Sequence, residues 1–131
     1  MRHVFDAHAI LAFLQREKGF EKVKFIMEKD AQKGSKALIT AVNWGEVYYI
    51  IKREEGTSVA EAMIEIIDTL PLKIIPADRQ LCNAAAELKA DKKMSYADCF
   101  AAAAAIINRA ALITGDKEFK EVEGEVKIIW I

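Results

Sequence analysis

The stretch SYADCFAAAAAIINRAALITGD, residues 95–116, contains the helix-then-strand unit on which the fold prediction rests. Ser95 can cap a helix predicted over residues 96–109, and the alanine face of that helix allows close packing. Residues 111–114 then form a short apolar run typical of a buried strand, followed at once by Gly115 and Asp116. A long helix feeding a short buried strand is the repeating unit of a parallel α/β sheet.

The same alternation extends outward along the rest of the chain. Strands are predicted at residues 3–5, 37–40, 72–75 and 126–130, and helices at residues 9–15, 20–33, 42–54, 58–70 and 78–90. Ser58 with Glu61 three residues later predicts a capping box at the start of the fourth helix. We interpret residues 72–75 and 126–131 as continuous apolar runs of strands buried on both faces. The pattern predicts a mostly parallel sheet with helices on both faces.

Length and composition narrow the class of protein. The chain has 131 residues, with 19 Lys and Arg against 20 Asp and Glu, for a net charge of -1. We therefore expect one domain, residues 1–131, and exclude a protein that coats nucleic acid by bulk charge. The longest uncharged apolar run, residues 99–107, is far shorter than the ~20 residues that span a bilayer. With no signal-peptide pattern, the expected setting is the cytoplasm, away from membranes.

Four acidic residues fall where an open α/β sheet places its ligand site, beyond the C-terminal ends of the strands. Asp6 directly follows the first predicted strand, and Asp116 follows the strand at residues 111–114. Glu46 and Asp98 instead interrupt otherwise apolar helical stretches. Burying an unpaired charge is costly, so these positions indicate a functional reason for the carboxylates.

Carboxylates that lie close together cannot all stay ionised unless something relieves their mutual repulsion. Two of them about 5 Å apart repel by roughly 3 kcal/mol at an effective dielectric near ~20. Either protons or a cation must relieve that repulsion, and oxygen-only ligands favour Mg²⁺ or Mn²⁺ over Zn²⁺. Such an ion activates water and neutralises a phosphoryl transition state, which makes phosphodiester hydrolysis the leading chemistry.

Taken together, four segments resemble the PIN domain, specifically the VapC-type toxin ribonucleases of toxin–antitoxin pairs. In chain order they are the apolar run ending in Asp6, Thr40 with Glu46 six residues later, Ser95-Tyr-Ala-Asp98 leading into alanines, and Thr114-Gly-Asp116-Lys-Glu-Phe119. The resemblance covers essentially the whole chain. It implies a three-layer α/β/α sandwich with a mostly parallel five-stranded sheet. It also implies a Mg²⁺- or Mn²⁺-dependent endoribonuclease, usually a homodimer, that acts on RNA and is silenced by a cognate antitoxin.

Carried over by position, the resemblance implies that Asp6, Glu46, Asp98 and Asp116 form both the catalytic and the metal-binding set. Asp6 and Asp98 would be the core metal ligands, and Asp116 would bind directly or through water. Glu46 would hold a second ion or orient the attacking water. Thr114 could support these acids by a hydrogen bond.

Further candidates have weaker support. Glu118 and His8 are candidates for supporting the site; His8 departs from the small hydroxyl or amide residue that the family often has there. Lys92 and Lys93 precede the Asp98 helix and are candidates for phosphate contact, although such lysines are usually solvated.

Each acid also has a structural interpretation when taken alone. Asp98 could serve only as an acid in the first turn of a capped helix, Asp6 and Asp116 as turn residues, and Glu46 as a solvated helix residue. Two rival functions stay open: a PIN-like RNA- or protein-binding module with little turnover, and an RNA-processing nuclease without an antitoxin.

The aromatic residues bear on possible partners. Trp44, Tyr48 and Tyr49 are interpreted as core and interface residues rather than as base-stacking platforms. An antitoxin groove or dimer face could involve a set of four large apolar residues, unless all four are simply core: Phe13, Leu14, Phe25 and Trp44.

Overall fold

In the computed structural model, which describes all 131 residues, short apolar strands alternate with longer helices. The strands are β1 (His3–Phe5), β2 (Ala37–Thr40), β3 (Leu72–Ile75), β4 (Ala111–Thr114) and β5 (Ile128–Trp130). The helices are α1 (Ala7–Leu14), α2 (Phe20–Gln32), α3 (Ala41–Glu55), α4 (Thr57–Thr69), α5 (Arg79–Asp91) and α6 (Tyr96–Ile107), and a 3-10 helix covers Lys117–Val122. None of the helices has the length and apolar character that a bilayer-spanning segment needs.

The five strands form one sheet in the order β3-β2-β1-β4-β5, and every neighbouring pair is parallel. The predicted parallel sheet is therefore confirmed. From β1 the chain adds β2 and β3 on one side, and it later adds β4 and β5 on the other. The strand order thus reverses between β1 and β4, whose register pairs Val4 with Leu112. Such a reversal opens a crevice at the C-terminal ends of the strands, where α/β proteins bind ligands.

Helices cover both faces of the sheet, as predicted for a three-layer sandwich. Alternate residues of each central strand point to opposite faces, so Val4 belongs to one core and Phe5 to the other. The first core lies under α5 and α6 and includes Leu38 and Leu112. The second core lies under α1 to α4, and its helical members include Ile10, Val23, Val47 and Ala60.

Helix α6 is buried on nearly all sides. Its five consecutive alanines, Ala101 to Ala105, are each at most 1% exposed. A helix that is apolar all round is a core helix, and alanine adds so little bulk that neighbouring backbones can come close. The first core therefore holds α6 tightly, with Phe119 and Val126 of the C-terminal segment among its members. This packing fixes the position of the helix that carries Asp98.

The prediction that residues 72–75 and 126–131 are strands buried on both faces is wrong. Strands β3 and β5 lie at the two edges of the sheet: Lys73 and Ile74 are exposed, and β5 is only half-buried. Strand β5 also begins at Ile128 rather than at residue 126. The fully buried strands are β2 and β4, which share the sequence Ala-Leu-Ile-Thr and lie inside the sheet.

The predicted capping box at Ser58 is also wrong. Helix α4 begins at Thr57, so Ser58 lies inside its first turn, and no side chain caps its N-terminus. Gly56 instead both ends α3 and precedes α4, with a φ of 93° that favours glycine. Helix α1 begins two residues earlier than predicted, at Ala7, because the Asp6 side chain accepts a hydrogen bond from the Ala9 amide and caps it.

The tight packing of α6 yields a stability prediction. Ala103→Leu should lower the free energy of unfolding by about 1–3 kcal/mol or more, because extra methyl groups must be forced into a fully packed core. Ala86→Leu, on the exposed face of α5, is the matched control and should change the free energy of unfolding by less than ~0.5 kcal/mol. Urea unfolding followed by circular dichroism measures both. Equal effects from the two substitutions would contradict the close packing of α6.

Candidate active site

Asp6 is fixed at the C-terminal end of the central strand β1. Its side chain is only 2% exposed. One carboxylate oxygen accepts a hydrogen bond from the Ala9 amide at 2.8 Å, and the other accepts one from the Thr114 hydroxyl at 2.5 Å. Burial raises the pKa of Asp6 to about 7 despite these hydrogen bonds, and the charges of Asp116 and Glu46 raise it further. Asp6 is therefore both a helix cap and a rigid, electrostatically disfavoured carboxylate.

Asp98 lies in the first turn of α6. The Ser95 hydroxyl caps this helix by accepting a hydrogen bond from the Asp98 amide at 3.1 Å, as the sequence predicts. The Asp98 residue itself is only 8% exposed. Burial, followed by the nearby charge of Asp116, raises the pKa of Asp98 to about 7. A first-turn acid favoured by the helix dipole alone would not need to be buried among other acids, so the capping interpretation is incomplete.

Asp116 and Glu118 complete an acidic cluster just beyond β4. The Asp116 amide donates to the Thr114 hydroxyl at 2.9 Å, and an Asp116 carboxylate oxygen accepts from the Glu118 amide at 2.9 Å. One oxygen from each of Asp98, Asp116 and Glu118 can be chosen so that the three lie within 4.8 Å of one another. Glu118, only a supporting candidate from the sequence, therefore stands beside two of the principal acids.

Glu46 reaches the same region from the second turn of α3. It is half-buried, and one of its oxygens accepts a hydrogen bond from the Asn43 side-chain amide at 2.8 Å. Burial raises the pKa of Glu46, and the charge of Asp116 adds to that effect, while the Asn43 hydrogen bond opposes it. Sequence reasoning missed Asn43; its only local signal is a polar residue one turn before Glu46 on the same helix.

One cavity of about 210 Å³ joins all four predicted acids. Its lining residues are Asp6, Ala7, His8, Leu11, Glu46, Ile50, Asp98 and Asp116. No Lys or Arg is among them, and His8 is the one lining residue that can carry a positive charge. The electrostatics leave two ways to relieve the repulsion, which are proton uptake and the binding of a cation by oxygen ligands.

His8 stands at the boundary between this cavity and a larger one of about 500 Å³. The residue is exposed. A Cβ atom on Gly115 would overlap the His8 ring, so the close approach of the ring to the backbone requires glycine at that position. His8 therefore borders the acids, but no hydrogen bond ties it to them.

The two candidate phosphate-binding lysines do not line either cavity. The Lys92 ammonium instead forms an ion pair with Glu125 at 2.8 Å, and the Lys93 backbone amide donates to Glu121. Phosphate contact by these lysines stays a prediction, and in the case of Lys92 it has to compete with Glu125.

Comparison with known proteins identifies the family and supports the fold. The sequence model of the PIN domain family matches residues 3–125. A search of curated proteins finds no match. Among solved structures, VapBC2 from Rickettsia felis bound to a promoter DNA fragment has a TM-score of 0.79 at 16% identity, over 98% of both chains. DNA-bound VapBC from Salmonella typhimurium has a TM-score of 0.76 at 16% identity, over 98% of this chain and 97% of that one. VapC20 from Mycobacterium tuberculosis, described as a Sarcin-Ricin loop cleaving toxin, has a TM-score of 0.72 at 16% identity, over 95% of this chain and 97% of that one.

The raised carboxyl pKa values predict an unusual pH dependence of stability. Between pH ~4 and 7 the folded protein binds more protons than the unfolded chain, so its stability falls as the pH rises through that window. In chelator, the melting temperature should be several degrees higher at pH 5 than at pH 8, measured by circular dichroism. Asp98→Asn should reduce the difference, whereas Asp78→Asn, at the cap of α5, should not. A wild-type protein more stable at pH 8 would contradict the assigned shifts.

Proposed function

This chain belongs to the PIN domain family, and from that premise we propose that it is a metal-dependent endoribonuclease, the toxin of a toxin–antitoxin pair. The observation that carries the proposal is the convergence of Asp6, Glu46, Asp98 and Asp116 on one cavity that no Lys or Arg lines. Holding these charges together is costly for folding, and a site that binds a cation for catalysis accounts for the cost. Four intact acids also argue against the alternative of a binding module with little turnover.

The donor set fits Mg²⁺ or Mn²⁺. Every candidate ligand is a carboxylate oxygen, and hard divalent cations prefer such ligands. Asp98 and Asp116 would hold the ion together with Asp6, while Glu118 lies close enough to the first two to contribute an oxygen. When bound, such an ion supplies Lewis acidity at the phosphate and activates water.

The residues of the chain supply orientation and proton handling. Thr114 donates to Asp6 and accepts from the Asp116 amide, so one hydroxyl orients two of the acids. Asn43 engages only one Glu46 oxygen. The other oxygen is free to orient an attacking water and to accept its proton, which assigns Glu46 the role of general base rather than of principal ligand.

The histidines do not favour the alternative in which the RNA 2′-hydroxyl is the nucleophile. That reaction needs a general base, most often histidine, and leaves a cyclic phosphate. His3 is held by Asp30 at 2.8 Å, next to α2, and His8 has no histidine partner. We therefore propose that water attacks phosphorus and that the 3′-oxygen leaves, giving fragments with 5′-phosphate and 3′-hydroxyl ends.

The proposed partners are an RNA substrate, a cognate antitoxin and a second copy of the chain, with the cytoplasm as the proposed setting. One similar structure, from Klebsiella pneumoniae, is described as a toxin–antitoxin complex, and the VapBC structures from Rickettsia felis and Salmonella typhimurium are described with bound DNA. Of the candidate groove residues, Phe25 is 59% exposed, and Phe13, Leu14 and Trp44 are half-buried. The alternative that all four are core is wrong, so an apolar partner surface near α1 and α2 stays in the proposal.

The proposal is tested on purified protein with mixed cellular RNA and Mn²⁺. We expect cleavage that excess chelator abolishes, and end-mapping should find 5′-phosphate and 3′-hydroxyl termini. Asp6→Asn or Asp98→Asn should slow cleavage at least on the order of 100-fold, because substitutions of mere outer-shell partners already cost ~10–100-fold. His8→Ala should cost far less, and Asp78→Asn, at the cap of α5, is the matched control.

Four other outcomes would contradict the proposal. Cyclic-phosphate ends or full activity in excess chelator would leave the acids as structural or binding residues. RNA binding without cleavage would favour the binding module. Specific cleavage by a protein whose gene has no antitoxin neighbour would favour the RNA-processing nuclease.

A further inference from the structure

We propose that Asn43 is a positioning residue of the acidic site, which joins Glu46 on α3 to the main chain of α6 next to Asp98. The inference rests on the proposed function and deepens it, since it identifies what sets the spacing between the two helices that carry these acids. Asn43 lies between Thr40 and Glu46 in the second of the four segments, but the sequence alone assigns it no role.

The contacts of Asn43 are those of a buried link. The residue is 0% exposed, which is unusual for asparagine. Its side-chain nitrogen donates one hydrogen bond to the Glu46 carboxylate at 2.8 Å and the other to the Ala97 carbonyl at 3.1 Å. Its side-chain oxygen accepts from the Thr40 hydroxyl at 2.5 Å. Both amide protons are thus used, one on each helix.

Thr40 determines which way the amide faces. The Thr40 hydroxyl oxygen accepts from the Asn43 backbone amide at 3.0 Å, so its proton is directed to the Asn43 side-chain oxygen. Rotating the amide by 180° would place that oxygen against the Glu46 carboxylate and the Ala97 carbonyl, both of which are acceptors. Two hydrogen bonds would be lost, and only one orientation satisfies every group.

The choice of a neutral donor is informative. A Lys or Arg at this position could also hold Glu46, but its charge would neutralise the carboxylate and repel a cation in the cavity. An apolar residue could fill the same space and would leave Glu46 without an anchor. An amide holds Glu46 in place and leaves its negative charge available. Since Ala97 immediately precedes Asp98, the same amide also anchors the first turn of α6.

The test measures Mn²⁺ affinity, by electron paramagnetic resonance of the free ion, alongside the kcat and KM of RNA cleavage. Asn43→Ala should weaken Mn²⁺ binding on the order of 10-fold, as expected for an outer-shell partner, and lower kcat with little change in KM. In a Glu46→Ala background, Asn43→Ala should have little further effect, because the residue it positions is gone.

The control is Asn108→Ala. The Asn108 side chain also donates to a helix carbonyl, that of Ala104 at 2.8 Å, but at the opposite end of α6. Its substitution should lower the melting temperature without changing Mn²⁺ affinity. Should Asn43→Ala fail to fold, Thr40→Val removes the hydroxyl that orients the amide. It should weaken Mn²⁺ binding in the same direction, again only when Glu46 is present.

Two results would overturn the role of Asn43. One is a folded Asn43→Ala or Thr40→Val protein that binds Mn²⁺ and cleaves RNA like the wild type. The other is a double variant in which Asn43→Ala lowers Mn²⁺ affinity and kcat by the same factor as it does when Glu46 is present. Asn43 would then act independently of Glu46, and its effect would be purely structural. A wild-type protein that binds Mn²⁺ but cleaves no RNA would instead overturn the proposed function alone, and the Mn²⁺ affinities would still test Asn43.

Discussion

Mutual repulsion among carboxylates is the constraint around which this end of the molecule is built. Asp6, Glu46, Asp98 and Asp116 line a single cavity, and no Lys or Arg lies among its lining residues. Burial raises the pKa of both Asp6 and Asp98 to about 7, so the protein holds these groups where their charged forms are disfavoured. Such an arrangement persists only because neutral hydrogen-bond donors and tight packing hold each acid in place.

The fold brings the acids together by two devices. The reversal of strand order between β1 and β4 places the ends of these strands side by side, and Asp6 and Asp116 follow them. The alanine face of α6 then lets that helix pack close to the sheet, which carries Asp98 to the same edge. The two buried strands β2 and β4 end in threonines with parallel roles: Thr40 orients Asn43, and Thr114 orients Asp6. The packing of the core therefore also sets the geometry of the site.

Much of this arrangement could be predicted from local sequence. Strand β4 is apolar and followed by an acid, and Ser95 and Asp78 are the caps that their helices require. What local sequence could not predict depends on distant neighbours. The edge position of β3 follows from strand order, and Lys73 is its one local sign, since the buried strands β2 and β4 carry no charged residue. Asn43 is informative only once α6 lies beside α3, and Glu118 only once Asp98 is near Asp116.

The acids at the C-terminal ends of β1 and β4 form the proposed divalent cation site. The most direct test is a crystal of the protein grown or soaked with Mn²⁺ near pH 8 and examined by anomalous scattering at the manganese edge. We expect an anomalous peak within bonding distance of carboxylate oxygens of Asp98 and Asp116, with Asp6 next to it. No peak in this cavity at saturating Mn²⁺, with the acids in the positions described, would contradict it.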